Sequence, residues 1–401
     1  MHLEREIADG IFWIGGDDLR LELFEGLHPG PGGVSYNTYV ITDEKTCLLD
    51  TIDRAVEERF FSSLEHVLAG RALDYIVVQH VEPDHSASLA TVCAMHPEAK
   101  IVCSAMAKKM IGQFFGGNVE ERCKVVGEGD TLDLGGRELT FVAAPMVHWP
   151  EVLVTYSATD KLLFSADAFG TFGALGGRLD LGDWDFEHEW LPEARRYYAN
   201  IVGKYGDQVT TLLGKAAGLD IETICPLHGP ILHTDDIPKV LEKYTAWASY
   251  APEEPSVAIA FASVYGGTRD VAEALAFKLT ELGVKGVTVT DLSAEDTSYA
   301  IGEFFRAGNI VLASTTYNMG LFPKMHTLLN VMSELGMRDR RYALIENGTW
   351  APTAGKLMKA ELDGLAGFEQ VGETLTVKSR LADAQDAELD ALAGAIAGTV
   401  R

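Results

Sequence analysis

The sequence predicts a two-part α/β chain: two sheets packed on each other with helices outside, then a doubly wound parallel sheet. Three observations carry this. Up to Tyr250, short strands dominate and helices fall only between some of them. Ala251-Pro252-Glu253-Glu254-Pro255 is a short proline- and charge-rich break. Beyond it, strands and helices alternate regularly, the mark of a parallel sheet covered on both faces. The 401 residues suit two or three domains, and the break sets the expected limits at 1–252 and 253–401.

Before the break, residues 11–14, 35–41, 47–50, 74–79, 100–103, 139–144, 152–156 and 161–165 read as strands. They are short apolar runs rich in β-branched and aromatic residues. Residues 56–68 are helical. After the break, 257–262 reads as a buried strand. Apolar residues at 271, 272, 275, 276, 279 and 282 have helical spacing. Strands follow at 286–292, 309–314, 341–345 and 373–377, with helices at 299–306, 324–335, 355–365 and 383–397. About 150 residues with five such strands make a complete domain.

Net charge is −26. So acidic a chain is poorly suited to a phosphate backbone or an anionic membrane, so neither nucleic acid nor membrane is an expected partner. The N-terminal Met-His-Leu-Glu-Arg-Glu-Ile has no basic stretch before an apolar core, and no run reaches the length of a membrane span. The five cysteines, Cys47, Cys93, Cys103, Cys123 and Cys225, are odd in number and include no Cys-x-x-Cys. This argues against a disulfide framework, a four-cysteine zinc site and a rubredoxin-type iron site. The expected compartment is the reducing cytoplasm.

His80-Val81-Glu82-Pro83-Asp84-His85 packs two imidazoles and two carboxylates into the end of the strand over 74–79. His80, Glu82 and Asp84 alternate while His85 breaks the alternation, so one regular strand cannot present all four on one face. A turn helped by Pro83 splits them. His148, Asp167 and His228 also follow apolar strands, where rigid elements position loop ligands well. Seven ligands suffice for two metals. Imidazoles with hard carboxylates and no thiolate suit iron, manganese or zinc.

This order of ligands resembles the metallo-β-lactamase fold, whose hydrolases carry His-x-His-x-Asp-His. Glu82 stands where those enzymes have the second His. The departure matches the flavodiiron branch, with His-x-Glu-x-Asp-His followed by His, Asp and His. Met146-Val147-His148-Trp149-Pro150-Glu151 and Asp167-Ala168-Phe169-Gly170 fit its context. The resemblance implies one iron held by His80, Glu82 and His148, another by Asp84, His85 and His228, and Asp167 bridging both. It also implies a metallo-β-lactamase-like αββα sandwich joined to a flavodoxin-like domain.

The second half supplies the matching cofactor loops. Ser263-Val264-Tyr265-Gly266-Gly267-Thr268-Arg269 links the first strand to a helix, where small and hydroxyl residues surround a phosphate with backbone N–H groups. It resembles the flavodoxin phosphate loop, with Ser263, Gly266 and Thr268 in register. The loop has no lysine, so the phosphate of FMN would rely on neutral donors and the helix dipole. Thr315-Thr316-Tyr317-Asn318 and Asn347-Gly348-Thr349-Trp350 follow the third and fourth strands, where such folds bind ligands. Tyr317 or Trp350 is the expected partner of the flavin ring.

The resemblance implies an oxidoreductase reducing O2 to water, NO to N2O, or both, with electrons relayed through FMN. No rubredoxin-like cysteine pair follows in the sequence, so an external donor is expected, rubredoxin or a reduced deazaflavin. A head-to-tail homodimer, or a dimer of dimers, would bring one chain's FMN to its partner's metals. Tyr197 or Tyr198 is a weaker candidate to donate a hydrogen bond to a bound ligand, and His28 is a weaker candidate to lie near the metals on its glycine- and proline-rich loop. The main alternative is a dinuclear zinc hydrolase fused to a flavodoxin-like domain, against which Glu82 argues. A pure electron carrier or redox sensor is a second alternative, against which the full ligand set argues.

Overall fold

The computed structural model describes residues 2–400. The chain divides into two compact units. One runs to Ala194 and includes Asp207–Tyr244; the other comprises Arg195–Gly206 and everything from Thr245 onward.

The first unit holds two mixed sheets. One contains, in spatial order, β1 (Arg5–Ala8), β2 (Ile11–Trp13), β3 (Tyr39–Thr42), β4 (Thr46–Leu49), β5 (Tyr75–Val78), β6 (Lys100–Cys103) and β7 (Cys123–Val125). Its first four strands pair antiparallel and the last four parallel. The other contains β8 (Thr131–Asp133), β9 (Glu138–Ala143), β10 (Leu153–Ser157), β11 (Leu162–Phe164), β12 (Thr223–Cys225) and β13 (Leu232–His233). Only β11 and β12 run parallel there.

Pleating sends alternate residues to one face. Tyr39 and Ile41, Cys47 and Leu49, Leu139 and Phe141, and Leu162 and Phe164 therefore meet in a single core between the two sheets. The opposite face of the first sheet is also apolar, with Val40, Leu48 and Ile76 fully buried. Helix Glu57–Leu68 covers it with Phe60, Leu64 and Leu68, spaced one helical turn apart. This is the expected sandwich with helices outside. One expected strand is broken: 35–41 splits into Val34–Tyr36 and Tyr39–Thr42. Asn37 and Thr38 leave the ladder because their side chains bond elsewhere, Asn37 to the carbonyls of Pro226 and Gly229, and Thr38 to those of Leu49 and Asp50.

The second unit holds a seven-stranded sheet. Its strands are β14 (Glu254–Ala262), β15 (Val287–Asp291), β16 (Ala307–Tyr317), β17 (Gly320–Leu321), β18 (Arg341–Asn347), β19 (Glu369–Gln370) and β20 (Leu375–Val377). The spatial order is β15-β14-β16-β18-β19, with β20 also on β18 and the short β17 turned back on β16. All pairs but that last are parallel. The order reverses between β14 and β16, so a crevice opens beyond their carboxyl ends. Helices Gly267–Glu281 and Asp386–Ala397 bury Leu275, Leu279, Leu389 and Ile396 against Val257, Ile259 and Phe261 on one face. On the other, Ala258, Ala260 and Ala262 are small enough to let Thr297–Arg306 and Pro323–Glu334 approach. Among the described residues no helix is long and apolar enough to cross a membrane.

Candidate functional site

Strand β5 stops at Val78, and the polar run begins two residues later. Asp50, fully buried just beyond β4, accepts the backbone N–H groups of Gln79 at 2.8 Å and His80 at 3.2 Å, and the Gln79 side-chain amide at 2.9 Å. Pro83 then opens a one-turn helix, Pro83–Ser86, whose fixed φ suits that first position. The turn carries Asp84 and His85 away from Glu82. Thr51 closes it, donating both its N–H and its hydroxyl to the His85 carbonyl.

The seven ligand candidates converge as two groups. His80 Nε2 lies 3.0 Å from Glu82 Oε2 and 3.2 Å from Asp167 Oδ2. His148 Nε2 lies 3.1 Å from each of the same two oxygens. On the other side, Asp84 Oδ2 is 3.2 Å from both His85 Nε2 and His228 Nε2. Asp167 turns its second oxygen there, with Oδ1 3.2 Å from His85 Nε2. His80, His85, Asp167 and His228 are buried to within 1%. Separations near 3 Å are the ligand-to-ligand edges of a cation with bonds of about 2.0–2.2 Å.

The charges ask for cations. Asp84 Oδ1 and Asp167 Oδ1 are buried without a hydrogen-bond partner among the described residues. His85 Nε2 faces His228 Nε2 at 3.0 Å, and two imidazole nitrogens can share only one proton. Without metal, the cluster balances itself with protons. Burial opposes the charging of His85, but Asp84 and Asp167 outweigh it and raise the imidazole to about 10. Burial likewise opposes His148, which Asp167 and Glu82 raise to about 9. Burial would raise the Glu82 carboxyl, but hydrogen bonds from His148 and His80 bring it to about 2. The ligand atoms of both groups point inward, and divalent cations displacing those protons would balance the same charges, so the set fits a pair of divalent cations.

Outer partners fix the ring orientations. His80 Nδ1 donates to Glu151 Oε1 at 2.8 Å, and the same oxygen accepts the Val81 N–H at 2.9 Å. His228 Nδ1 donates to the Ser35 carbonyl at 2.8 Å, while Gly229 N–H donates to the Ser35 hydroxyl at 2.7 Å. Each bond turns Nε2 toward the centre. Glu151 was legible only as context in the sequence, because nothing local joins it to a histidine 71 residues earlier. Glu151→Gln is expected to weaken metal binding by about 10–100-fold, since an amide presents a donor to Nδ1 in half its orientations. Competition with a chelator at neutral pH measures this; unchanged affinity would refute the orienting role.

A cleft of about 410 Å³ opens beside the second group, lined by Leu21, Phe24, Glu25, Tyr36, Asp53 and the ligand run itself. Burial, then the neighbouring Glu82 carboxylate, pushes Glu25 up to about 7. His28 closes the hairpin of Leu23–Phe24 with His28–Pro29, and its ring tilts against Phe172 at 6.1 Å. Tyr197 and Tyr198 are fully buried in the second unit, where Tyr198 packs on Trp247 at 5.2 Å and Phe305 at 6.2 Å.

In the second unit the three loops sit at the carboxyl ends of adjacent strands β14, β16 and β18. Gly266 has φ +92°, a left-handed conformation that favours glycine, and donates its N–H to the Ser263 hydroxyl at 3.1 Å. Gly267 then opens the helix, with Thr268 buried beside it. A Cβ on Gly267 would lie 2.0 Å from the Ser379 carbonyl oxygen. Asn347 holds Ser379 by both amide atoms, and Ser379 donates its hydroxyl to Thr349. Thr315 pairs with Asn347 across the sheet, and Thr316 accepts the N–H groups of Thr353 and Ala354. Asn318 takes a positive φ of 49°, and Gly348 packs closely on Pro352. Around them Tyr265 is 98% exposed and Trp350 86%, with Val264 and Tyr317 half exposed. A phosphate-sized helix N-terminus beside uncovered aromatic rings fits a flavin nucleotide.

Comparison with known proteins gives concordant results. A family model described as an ODP family beta lactamase matches residues 34–229. The anaerobic nitric oxide reductase flavorubredoxin of Salmonella arizonae is 31% identical over 379 residues, covering 93% of this chain and 77% of that protein. Among solved structures, the rubredoxin oxygen:oxidoreductase of Desulfovibrio gigas superposes with a TM-score of 0.92 at 29% identity, covering 99% of this chain and 98% of that one. The flavodiiron protein of Giardia intestinalis does so at 0.91 and 26% identity, covering 98% and 96%.

Proposed function

The chain belongs to the flavodiiron protein family, and from that premise we propose that this oxidoreductase reduces O2 to water, NO to N2O, or both, at a non-haem diiron site. In this reading a metal-binding domain over 1–252 holds the irons and a flavin domain over 253–401 holds FMN. His80, Glu82 and His148 hold one iron, and Asp84, His85 and His228 the other. The observation that carries the reading is Asp167, whose two oxygens face the two groups separately. When bound, the iron pair and the reduced flavin together supply the four electrons that convert O2 to two waters, or the two that couple two NO molecules into N2O.

The chain's own groups do the rest. Glu151 and Ser35 fix the imidazoles so that the ligand geometry survives a change in metal charge. Phe24, Tyr36 and Leu21 give the cleft apolar walls beside the carboxylates of Glu25 and Asp53, through which a small neutral molecule would reach the metals. Ser263, Val264, Tyr265, Gly266, Gly267 and Thr268 would cradle the FMN phosphate. Thr315 to Asn318 and Asn347 to Trp350 would flank the ring. Electrons would come from an external donor, a rubredoxin or a reduced deazaflavin. A head-to-tail dimer would set one chain's flavin against its partner's metals.

Anaerobically reduced, FMN- and iron-loaded protein mixed with O2 or NO in a stopped-flow instrument tests the reading. Flavin reoxidation by at least one gas, with water or N2O as product, is the expected result. Stoichiometric zinc, hydrolytic turnover and no reoxidation by either gas would overturn it in favour of a hydrolase.

A further inference from the structure

Outside the centre described above, a second group of potential ligands lies on the outer face of the first unit. We propose that His2, Glu4 and His66 form a separate, solvent-facing site for one late first-row divalent cation, with Zn2+ the natural occupant.

The placement starts from the backbone. Ser63, fully buried in helix Glu57–Leu68, accepts the Leu3 N–H at 2.8 Å and donates its hydroxyl to the Leu3 carbonyl at 2.8 Å. This pair of hydrogen bonds to one residue clamps the N-terminal segment along the helix. In an extended segment, residues two apart point the same way, so His2 and Glu4 emerge together. His66 lies three residues after Ser63, one turn along the same helix face. The clamp therefore brings a His-x-Glu pair against a helical imidazole.

The geometry has the scale of a chelate. Glu4 Oε1 lies 3.4 Å from His66 Nε2 and 3.8 Å from His2 Nε2. A tetrahedral zinc with bonds of about 2.0–2.1 Å needs ligand separations of roughly 3.3 Å. The three ligand atoms all lie within 4.8 Å of one another. Glu4 Oε2 is buried and has no hydrogen-bond partner among the described residues. The two imidazole rings stack at 3.6 Å with planes 6° apart. Sharing a cation requires one ring to turn its edge inward, and side-chain exposures of 46% for His2 and 53% for His66 leave room for that turn.

The donor set chooses the ion. Two imidazoles and one carboxylate favour the later first-row divalent ions over Mg2+ or Ca2+, which prefer oxygen shells. Three protein ligands leave a fourth position to water. The bound ion would tie the N-terminal segment to the helix and so raise the melting temperature of the folded chain. None of this depends on the reaction proposed for the main centre, since the two sites share no residue.

The test uses the protein as purified, with its metal and flavin content measured first. Zn2+ is then titrated against a chromophoric chelator at neutral pH. The expected result is one further equivalent per chain, bound at about micromolar concentration, with the original metal retained. His66→Ala is expected to weaken that equivalent by about 100-fold and Glu4→Gln by about tenfold, with unchanged circular dichroism. Should His66→Ala misfold, His2→Ala gives the same readout from the N-terminal segment of the site. No additional binding below about 100 μM, or equal affinity in these variants, overturns the proposal.

Discussion

An Asp167→Ala variant is expected to lose both metals and at least about 1,000-fold in turnover, while keeping its flavin. Asp167 is 1% exposed and serves both ligand groups through different oxygens. Burial would raise its carboxyl, but the charges of His80 and His85 hold it well below the usual carboxylate range. Removing it deletes a ligand from each group at once. It also leaves His80, His85 and His148 facing a void without their shared counter-charge. Breaking a buried charge pair in this way costs about 3–5 kcal/mol in the metal-free protein. Asp167→Asn keeps the volume but halves the acceptor capacity, so it should retain part of one group's affinity and little turnover. Metal analysis, flavin absorbance and gas consumption on one preparation separate these outcomes. Full iron content in Asp167→Ala would remove the basis for a shared bridge.

The sequence declares ligand chemistry better than it declares the groups that orient it. His80, Glu82, Asp84 and His85 stand in six consecutive residues, and no core strand needs that composition. Glu151 follows a Trp-Pro pair and has the look of a surface acid, yet it is 1% exposed. Its role exists only once the start of β10 meets the end of β5, where the Leu153 N–H donates to the Gln79 carbonyl at 3.0 Å, and a linear reading cannot weigh that. Ser35 acts on His228 through its backbone carbonyl, and a carbonyl leaves no mark in the residue type. The same limit explains the broken strand. Asn37 and Thr38 fit a β pattern by neighbour and lose it to partners outside that pattern, 189 residues on for Asn37 and 11 for Thr38. Tyr198 shows the converse: its phenol suggested a hydrogen bond to a bound ligand, and its ring packs on Trp247 and Phe305, neighbours that the local sequence does not announce. The parallel sheet was more legible, because helical and strand periods alternate there without interruption. Even so, its helix Gly267–Glu281 begins four residues before the first apolar position that betrays it. Two of those four, Gly267 and Thr268, belong to the run assigned to the phosphate.

They also give the clearest test of the flavin site. Gly267→Ala is expected to lower FMN affinity by at least about tenfold while leaving the metal content intact. Elsewhere in a helix this change is favourable by about 1 kcal/mol. Here the new Cβ would lie 2.0 Å from the Ser379 carbonyl oxygen, a distance no packed pair of atoms sustains. The obstacle is backbone, so no side chain can swing aside. Ser379 is in turn tied to Asn347, whose amide accepts its N–H at 2.9 Å and donates to its carbonyl at 3.2 Å. Relief of the clash therefore moves the loop after β18 as well as the one after β14. Overpacking of this kind costs about 1–3 kcal/mol, enough to displace two of the three loops by fractions of an ångström without unfolding the unit. The metal ligands all belong to the first unit, so their occupancy is the internal control. Gly394→Ala is the matched control within the second unit. Gly394 lies in helix Asp386–Ala397 with nothing within 4 Å of its would-be Cβ. It should raise the melting temperature slightly and leave FMN bound. Fluorescence of released flavin under dilution reads both variants. Wild-type retention by Gly267→Ala would mean that the phosphate is held somewhere other than this helix N-terminus.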